Sequence, residues 1–244
     1  MTRLVALAIV SMIPTAAIQL LGRSPAPATV QVDDRPGMDL YVAGCAACHG
    51  VEGQGSGQGP PLIGVGAASV DFMLSTGRMP LSDPDDQPVR EPAAYSPEEI
   101  EAIVAYVVAL GPGGPGIPSV EPARGALGLG RRLYAANCLA CHGAGGQGAS
   151  VGGGAVAPAL DRATAVQIAE AARIGPGVMP PFTEEQLSQA DLDSLVRYLL
   201  FQRAGEDRGG LGLGHVGPVV EGLIGWLVGL GILLVVIRLT GTAR

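Results

Sequence analysis

The chain has 244 residues, of which 48% are hydrophobic and only 15% charged, and its formal net charge is −7. An acidic balance of that size excludes a nucleic-acid binder, whose affinity rests on a basic surface set against phosphates. Mean hydropathy is +0.36, high for a wholly soluble chain, so part of the sequence is expected in lipid. Gly 38 and Pro 20 together make about a quarter of the chain, so long stretches are loop. Aromatics are 4%, too few to fill two cores by themselves, and a further apolar body is expected to help fill them.

The chain opens with an apolar run at 4–21, preceded by Arg3 and followed by Arg23 and a Pro/Ala stretch. Residues 1–28 therefore read as a secretory signal peptide or an N-terminal membrane anchor, and either one exports the segment C-terminal to it. Next comes an internal repeat. Residues 37–55, GMDLYVAGCAACHGVEGQG, align without gaps on 130–148, GRRLYAANCLACHGAGGQG, with 12 of 19 positions identical. Only two copies exist, so this is a duplicated small domain, expected over 36–111 and 125–204 with a Pro/Gly linker at 112–124.

Each copy follows one plan: a short amphipathic segment ending in Leu-Tyr (Tyr41, Tyr134), then C-x-x-C-H, then a Gly-rich loop with Pro-x-Leu. Met-Pro follows (Met79, Met179), and a helix closes the copy. In the first copy Ser96, Pro97 and Glu99 predict a capping box, and Ile100, Ile103, Val104, Val107 and Val108 keep helical spacing. In the second, Thr183 or Ser188 starts a helix whose apolar face is Leu192, Leu195, Val196 and Leu199. Last comes a run with one charge, Glu221, inside the transmembrane helix expected over 217–238. Arg238 and Arg244 follow it, which puts the C-terminus in the cytoplasm and the repeats on the extracytoplasmic side. Gly225-xxx-Gly229 has a spacing that lets helices approach closely.

All four cysteines lie in the repeated motif: Cys45, Cys48, His49 and Cys138, Cys141, His142. This spacing is the signature of covalent haem c attachment. Two thiols three apart on one turn reach the two vinyl groups of a porphyrin, and the adjacent His ligates iron. A zinc site would need the two pairs to converge on one ion, and a thioredoxin-like motif would need a βαβ context. The second axial ligand is expected to be Met79 in the first copy and Met179 in the second, since both precede Pro in matching turn-rich segments. Met73 lies in a helical stretch and reads as core. His/Met ligation raises the reduction potential and leaves no open iron position, so these sites pass single electrons. The free ring nitrogen of each His is expected to donate to a backbone carbonyl, with Pro60 and Pro158 as candidates. Tyr41 and Tyr134 are expected against the haem edge. The first copy carries ten acids and two arginines over 37–111, and the second six of each over 125–203, so the halves are suited to different partners.

The run CAACHG…QGPPLIGVG…STGRMP, the second CLACHG…APAL…MPPF and the closing GPVVEGLIGWLVGLG resemble the dihaem cytochrome c subunit of the actinobacterial-type menaquinol–cytochrome c reductase, over about 40–240. The resemblance implies an all-α fold of two tandem, loop-rich cytochrome c domains tethered to the cell membrane. It implies two covalently bound haem c on the eight residues Cys45, Cys48, His49, Met79, Cys138, Cys141, His142 and Met179. Electrons would pass from the Rieske iron–sulfur protein, alongside cytochrome b, to the copper centre of a cytochrome oxidase. The chain alone would be an electron carrier within an oxidoreductase and translocase. A dihaem subunit of a cytochrome oxidase or of a membrane-bound dehydrogenase is the alternative.

Overall fold

The computed structural model describes residues 35–204 and 218–241; the apolar segment at 4–21 and His215 lie outside the described residues. The first repeat contains α1 (Arg35–Gly44), the single turn α2 (Ala46–His49), α3 (Ala67–Ser75) and α4 (Pro97–Ala109). α1 and α3 both pack on α4. The core between them is Tyr41, Val70, Leu74, Ile100, Ile103, Val104 and Val107. Burying these side chains supplies roughly 1.5–3 kcal/mol for each large apolar residue, before entropy is counted. Val108, expected on the same face, is 43% exposed, at the edge of the stripe that faces α1 and α3.

The second repeat repeats this plan. A short 3-10 turn (Pro122–Arg124) leads into α5 (Leu127–Asn137), the single turn α6 (Leu139–His142), α7 (Ala165–Ile174) and α8 (Gln189–Ala204). α5 and α7 pack on α8, over Tyr134, Ile168, Ala169, Ala172, Leu187, Leu192, Leu195, Val196 and Leu199.

Two local features make the opening and closing helices cross closely in each copy. Gly37 and Gly130 sit at the crossing points, where a Cβ would come within 2.8 Å of the Ala102 carbonyl carbon or 2.6 Å of the Ser194 carbonyl carbon. Next to each crossing, a tyrosine of one helix meets a tyrosine of the other in a tilted pair. Tyr41 and Tyr106 have ring centroids 5.1 Å apart, and Tyr134 and Tyr198 5.6 Å.

The helix starts follow capping chemistry. Ser96 Oγ accepts from Glu99 N–H at 3.3 Å while Ser96 N–H donates to Glu99 Oε2 at 2.8 Å, with Pro97 in the first turn. In the second copy Ser188 starts α8, its Oγ accepting from Asp191 N–H at 3.2 Å. Thr183 instead caps a separate preceding turn, accepting from Gln186 N–H at 3.4 Å. The start of α7 is a further capping box, Thr164 with Gln167.

The structure corrects the all-α expectation in one place. The second repeat carries an antiparallel hairpin, β1 (Ala149–Gly152) paired with β2 (Ala155–Ala157). Gly152, Gly153 and Gly154 all have positive φ, between 60° and 91°, and no Cβ would meet anything there. A turn that tight and left-handed is open to glycine alone, and the first repeat has no such glycine run at the matching place.

The final helix, α9 (Pro218–Thr240), has 23 residues and would be about 35 Å long. Among the described residues it contains the one stretch long and apolar enough to cross a membrane, Gly222–Thr240. Gly222, Gly225, Trp226, Gly229, Leu230 and Leu233 line a shallow groove along it.

Candidate haem centres

In both repeats the cysteine motif starts where the opening helix ends. Cys45 N–H donates to Tyr41 O at 2.8 Å and His49 N–H to Cys45 O at 2.9 Å; the matching bonds from Cys138 and His142 are 2.9 Å each. The motif is thereby wound into one turn, and residues three apart on a turn are neighbours. Cys45 with Cys48, and Cys138 with Cys141, are accordingly side by side, and all four are free thiols. Burial, and then the neighbouring Cys48, pushes the Cys45 thiol up; burial and Cys141 likewise push Cys138 up to about 11. The first cysteine of each motif is therefore a neutral thiol in an apolar wall.

Gly50 (φ 81°) and Gly143 (φ 77°) end these turns in a conformation that favours glycine and turn the chain into the Gly-rich loop. The loop then closes on the motif. Gly55 N–H donates to His49 O at 2.7 Å, and Gly148 N–H to His142 O at 2.9 Å. The closure carries Pro60 and Pro158 to the histidine rings. His49 Nδ1 lies 2.8 Å from Pro60 O, and His142 Nδ1 3.0 Å from Pro158 O. A carbonyl can only accept, so in each ring Nδ1 is the protonated nitrogen and Nε2 keeps its lone pair for a metal. These are the two contacts expected from the matched Pro-x-Leu.

Tyr41 and Tyr134 do something other than expected. Both are fully buried between the crossing helices. Tyr41 donates its hydroxyl to Gly50 O at 2.7 Å, and Tyr134 to Gly143 O at 2.6 Å. Each thus pins the residue after the histidine to the helix core. Tyr134 sits deep enough that burial, first among its causes, pushes its hydroxyl up to about 12. Tyr134→Phe, which leaves the Gly143 carbonyl without this donor, is expected to cost about 1–2 kcal/mol in denaturant unfolding of the haem-loaded protein. An unchanged midpoint would show that water replaces the hydroxyl.

The methionines lie on loops that start at the ends of α3 and α7. Gly77 (φ 65°) and Gly175 (φ 59°) make these turns; a Cβ would come within 2.6 Å of the Glu91 carbonyl carbon at the first and of Met179 O at the second. Met79 packs partly buried against the first core, and Met179 is also partly buried. Met73 belongs to α3, and its carbonyl accepts from Arg78 N–H at 2.9 Å and Met79 N–H at 3.1 Å.

The residues present fit haem c. Paired free thiols sit on one turn, the imidazole tautomer suits iron, and Arg78 offers a buried, unpartnered Nη1 suited to an anionic group. The two cysteine pairs stay in separate repeats. Among the described residues no cluster of three or more His, Cys, Asp or Glu is placed to hold a bare metal ion, so a shared zinc site is not assembled.

The repeats meet where α3 packs on α7. Gln167 bridges the seam: its Nε2 donates to Ser75 Oγ at 3.2 Å, and its Oε1 accepts from Arg90 at 2.7 Å. One turn along α7, Glu170 is 0% exposed, and neither carboxyl oxygen has a hydrogen-bond partner. Burial, and then the facing Asp71 carboxyl, raises it to about 9 from an ordinary 4.5. Between those two values the folded chain holds a proton that the unfolded chain releases, so stability falls as pH rises through this window. Glu170→Gln is expected to raise the melting temperature at pH 8, by on the order of 3 kcal/mol of stability, and to flatten its pH dependence. A variant with the wild-type pH profile would show that Glu170 titrates normally.

The family model described as cytochrome c matches residues 35–111, and that of the cbb3-type cytochrome c oxidase subunit III matches residues 125–199. A cytochrome bc1 complex cytochrome c subunit from Corynebacterium diphtheriae is 37% identical over 229 residues, covering 85% of this chain and 81% of its own. The chain belongs to the family of cytochrome bc1 complex cytochrome c subunits. The subunit of that name from Mycobacterium leprae is 37% identical over 225 residues, 85% of this chain and 76% of its own. A cbb3-type cytochrome c oxidase subunit from Azospirillum is 30% identical over 187 residues, 67% of this chain and 60% of its own.

Among the described residues the chain is mostly helical, with one candidate membrane helix, and its two cytochrome c domains carry two haem c. Sequence reasoning did not reach the tyrosine–carbonyl pins, α7 or the seam. Thr164-x-x-Gln167 before Ile168 was a legible start signal for α7. The tyrosine pins were foreshadowed only by the identity of Tyr41 and Tyr134 in the repeat.

Proposed function

We propose that the chain is the dihaem relay of a quinol-oxidising bc1-type complex, taking electrons from the Rieske iron–sulfur subunit beside cytochrome b and delivering them to the copper centre of a terminal oxidase. The observation that carries the reading is the pair of histidines, His49 and His142, each held through Nδ1 by a proline carbonyl with Nε2 free. Haem c supplies one-electron chemistry at iron when bound. Cys45 and Cys48, and Cys138 and Cys141, would tether it through thioethers; His49 and His142, with Met79 and Met179, would supply the nitrogen and sulfur ligands to the irons. A methionine sulfur in that role would disfavour the oxidised iron and so raise its potential. The proline carbonyls fix each imidazole plane and make its Nε2 a stronger donor.

The domains span 36–111 and 125–204, joined by the linker at 112–124. Residues 1–28 act as signal or anchor, and α9 crosses the cell membrane with Arg238 on the cytoplasmic side, leaving the haem domains outside. The strongly acidic first domain, with exposed Asp83, Asp85 and Asp86, and the neutral second domain suit different docking partners. A second reading, a cbb3-type oxidase subunit, is favoured by the match of residues 125–199 and by the Azospirillum relative.

Purification of the tagged chain in mild detergent separates the two. Co-purifying b-type haem and a Rieske signal, with two haem c per chain by pyridine haemochrome, are expected. Co-purification with a haem–copper oxidase subunit alone would favour the second reading, and a preparation without haem c would refute both.

A further inference from the structure

We infer that Arg78, backed by Arg90, is the seat of a haem propionate at the seam between the two haem domains. The first domain carries ten acids and only two arginines, Arg78 and Arg90. Glu91 N–H donates to Thr76 O at 3.1 Å, which draws together the two stretches that carry these arginines, although ten carboxylates of their own domain are available as partners. Among the described residues, no carboxylate lies within 4.0 Å of either guanidinium; the ion pair found there is Arg124 with Glu121. Burial, and then the charge of Arg162 of the second domain, pulls the Arg90 guanidinium down, and Asp161 offsets part of this.

Arg78 is the most constrained of the three. Its backbone N–H is fixed on Met73 O at 2.9 Å, and its guanidinium carbon lies 4.9 Å from the centroid of the buried Phe72 ring. Its Nη1 is buried and makes no hydrogen bond. A guanidinium held on an aromatic face cannot swing out to water without giving up that contact, and an unpaired buried donor costs on the order of 1–3 kcal/mol, more when charged. A buried guanidinium nitrogen without a partner is a ready seat for an anion that the domain itself does not supply.

The chain's own cofactor carries such anions. Each haem has two propionate carboxylates, and planar, two-pronged pairing with carboxylate is what guanidinium geometry does best. The first haem is bound within the same domain, through Cys45 and Cys48, and Arg78 directly precedes Met79, the proposed ligand on its far side. Arg90, brought near this stretch by the bond of Glu91 to Thr76, is itself bonded across the seam to Gln167 at 2.7 Å. A propionate on Arg78 would therefore sit close to the residue that bonds the two domains across the seam. The assignment rests on the dihaem reading but not on Met79 being the ligand.

The test uses the full-length haem-loaded protein in detergent, with Arg78→Gln, Arg78→Lys and Arg90→Gln. Equilibrium redox titration is expected to show a lower midpoint for one haem in Arg78→Gln, because an uncompensated propionate stabilises ferric iron, while the other haem keeps its value. Resonance Raman is expected to show the propionate bending band shifted in Arg78→Gln and in Arg78→Lys, which keeps the charge but loses the fork. The methionine–iron charge-transfer band should persist in every variant. Loss of about half of that band in Met79→Ala tests the Met79 assignment separately. Unchanged midpoints and an unchanged propionate band in Arg78→Gln would overturn the inference. So would a wild-type midpoint that tracks added phosphate, which would make a free anion the occupant. If Arg78→Gln fails to accumulate with haem, the Raman band of Arg78→Lys and the midpoint of Arg90→Gln decide.

Discussion

Gly130→Val is expected to abolish the folded second haem domain, and Gly37→Val the first. At each position a Cβ would overlap the backbone of the closing helix, 2.6 Å from the Ser194 carbonyl carbon in one case and 2.8 Å from that of Ala102 in the other. Backbone inside a hydrogen-bonded helix cannot shift to make room, so the two helices must separate. Separation opens the tilted tyrosine pair beside the crossing and withdraws Tyr134 or Tyr41 from the carbonyl just past the histidine. Overpacking and lost burial together should cost roughly 3–5 kcal/mol, a large share of a small domain's stability. Thermal unfolding and haem content per chain measure this. A Gly130→Val protein with two haems and the wild-type melting temperature would show that the helices cross at some other point.

Met79→Ala and Met179→Ala, the proposed axial ligands, are each expected to lower the potential of one haem by roughly a few tenths of a volt, since the axial ligand is a principal lever on iron potential. The covalent haem should remain, because the proposed thioether attachment is made by the cysteine pair and not by the methionine. A relay step that becomes uphill by that amount should stop turnover of the complex while reduction by a strong chemical donor continues. The checks are redox titration of each variant and the mass of the chain with its haems. Two wild-type potentials in both variants would refute the ligand assignment, and a shift in Met73→Ala instead would name the alternative.

How far the sequence could be read depends on the range of each interaction. Cys45-x-x-Cys48-His49 and its copy announce their chemistry because the attachment needs neighbours on one turn, and neighbours on a turn are neighbours in the chain. Ser96 and Ser188 announce helix starts because a cap reaches only to the third residue beyond it. Pro60 and Pro158 could be proposed as the histidine partners because the duplication places both at matched positions within a short loop. Val108 was misplaced because helical spacing defines a face but not how far the neighbouring helices cover it. The hairpin of the second repeat was missed because its glycine turn looks like any other Gly-rich loop until the strands pair.

By itself, then, the sequence determined a duplicated C-x-x-C-H unit, its closing helices and its apolar terminal helix, all of which rest on contacts or periodicities a few residues long. Only the tertiary structure decided that Tyr41 and Tyr134 pin the loops to the cores, that Arg78 keeps a buried Nη1 without a partner, that Arg90 bonds Gln167 across the seam, and that Glu170 is sealed from water beside Asp71. Residues 71 and 170, or 90 and 167, come together because α3 docks on α7, and docking depends on the fit of whole surfaces, which no short stretch of chain encodes.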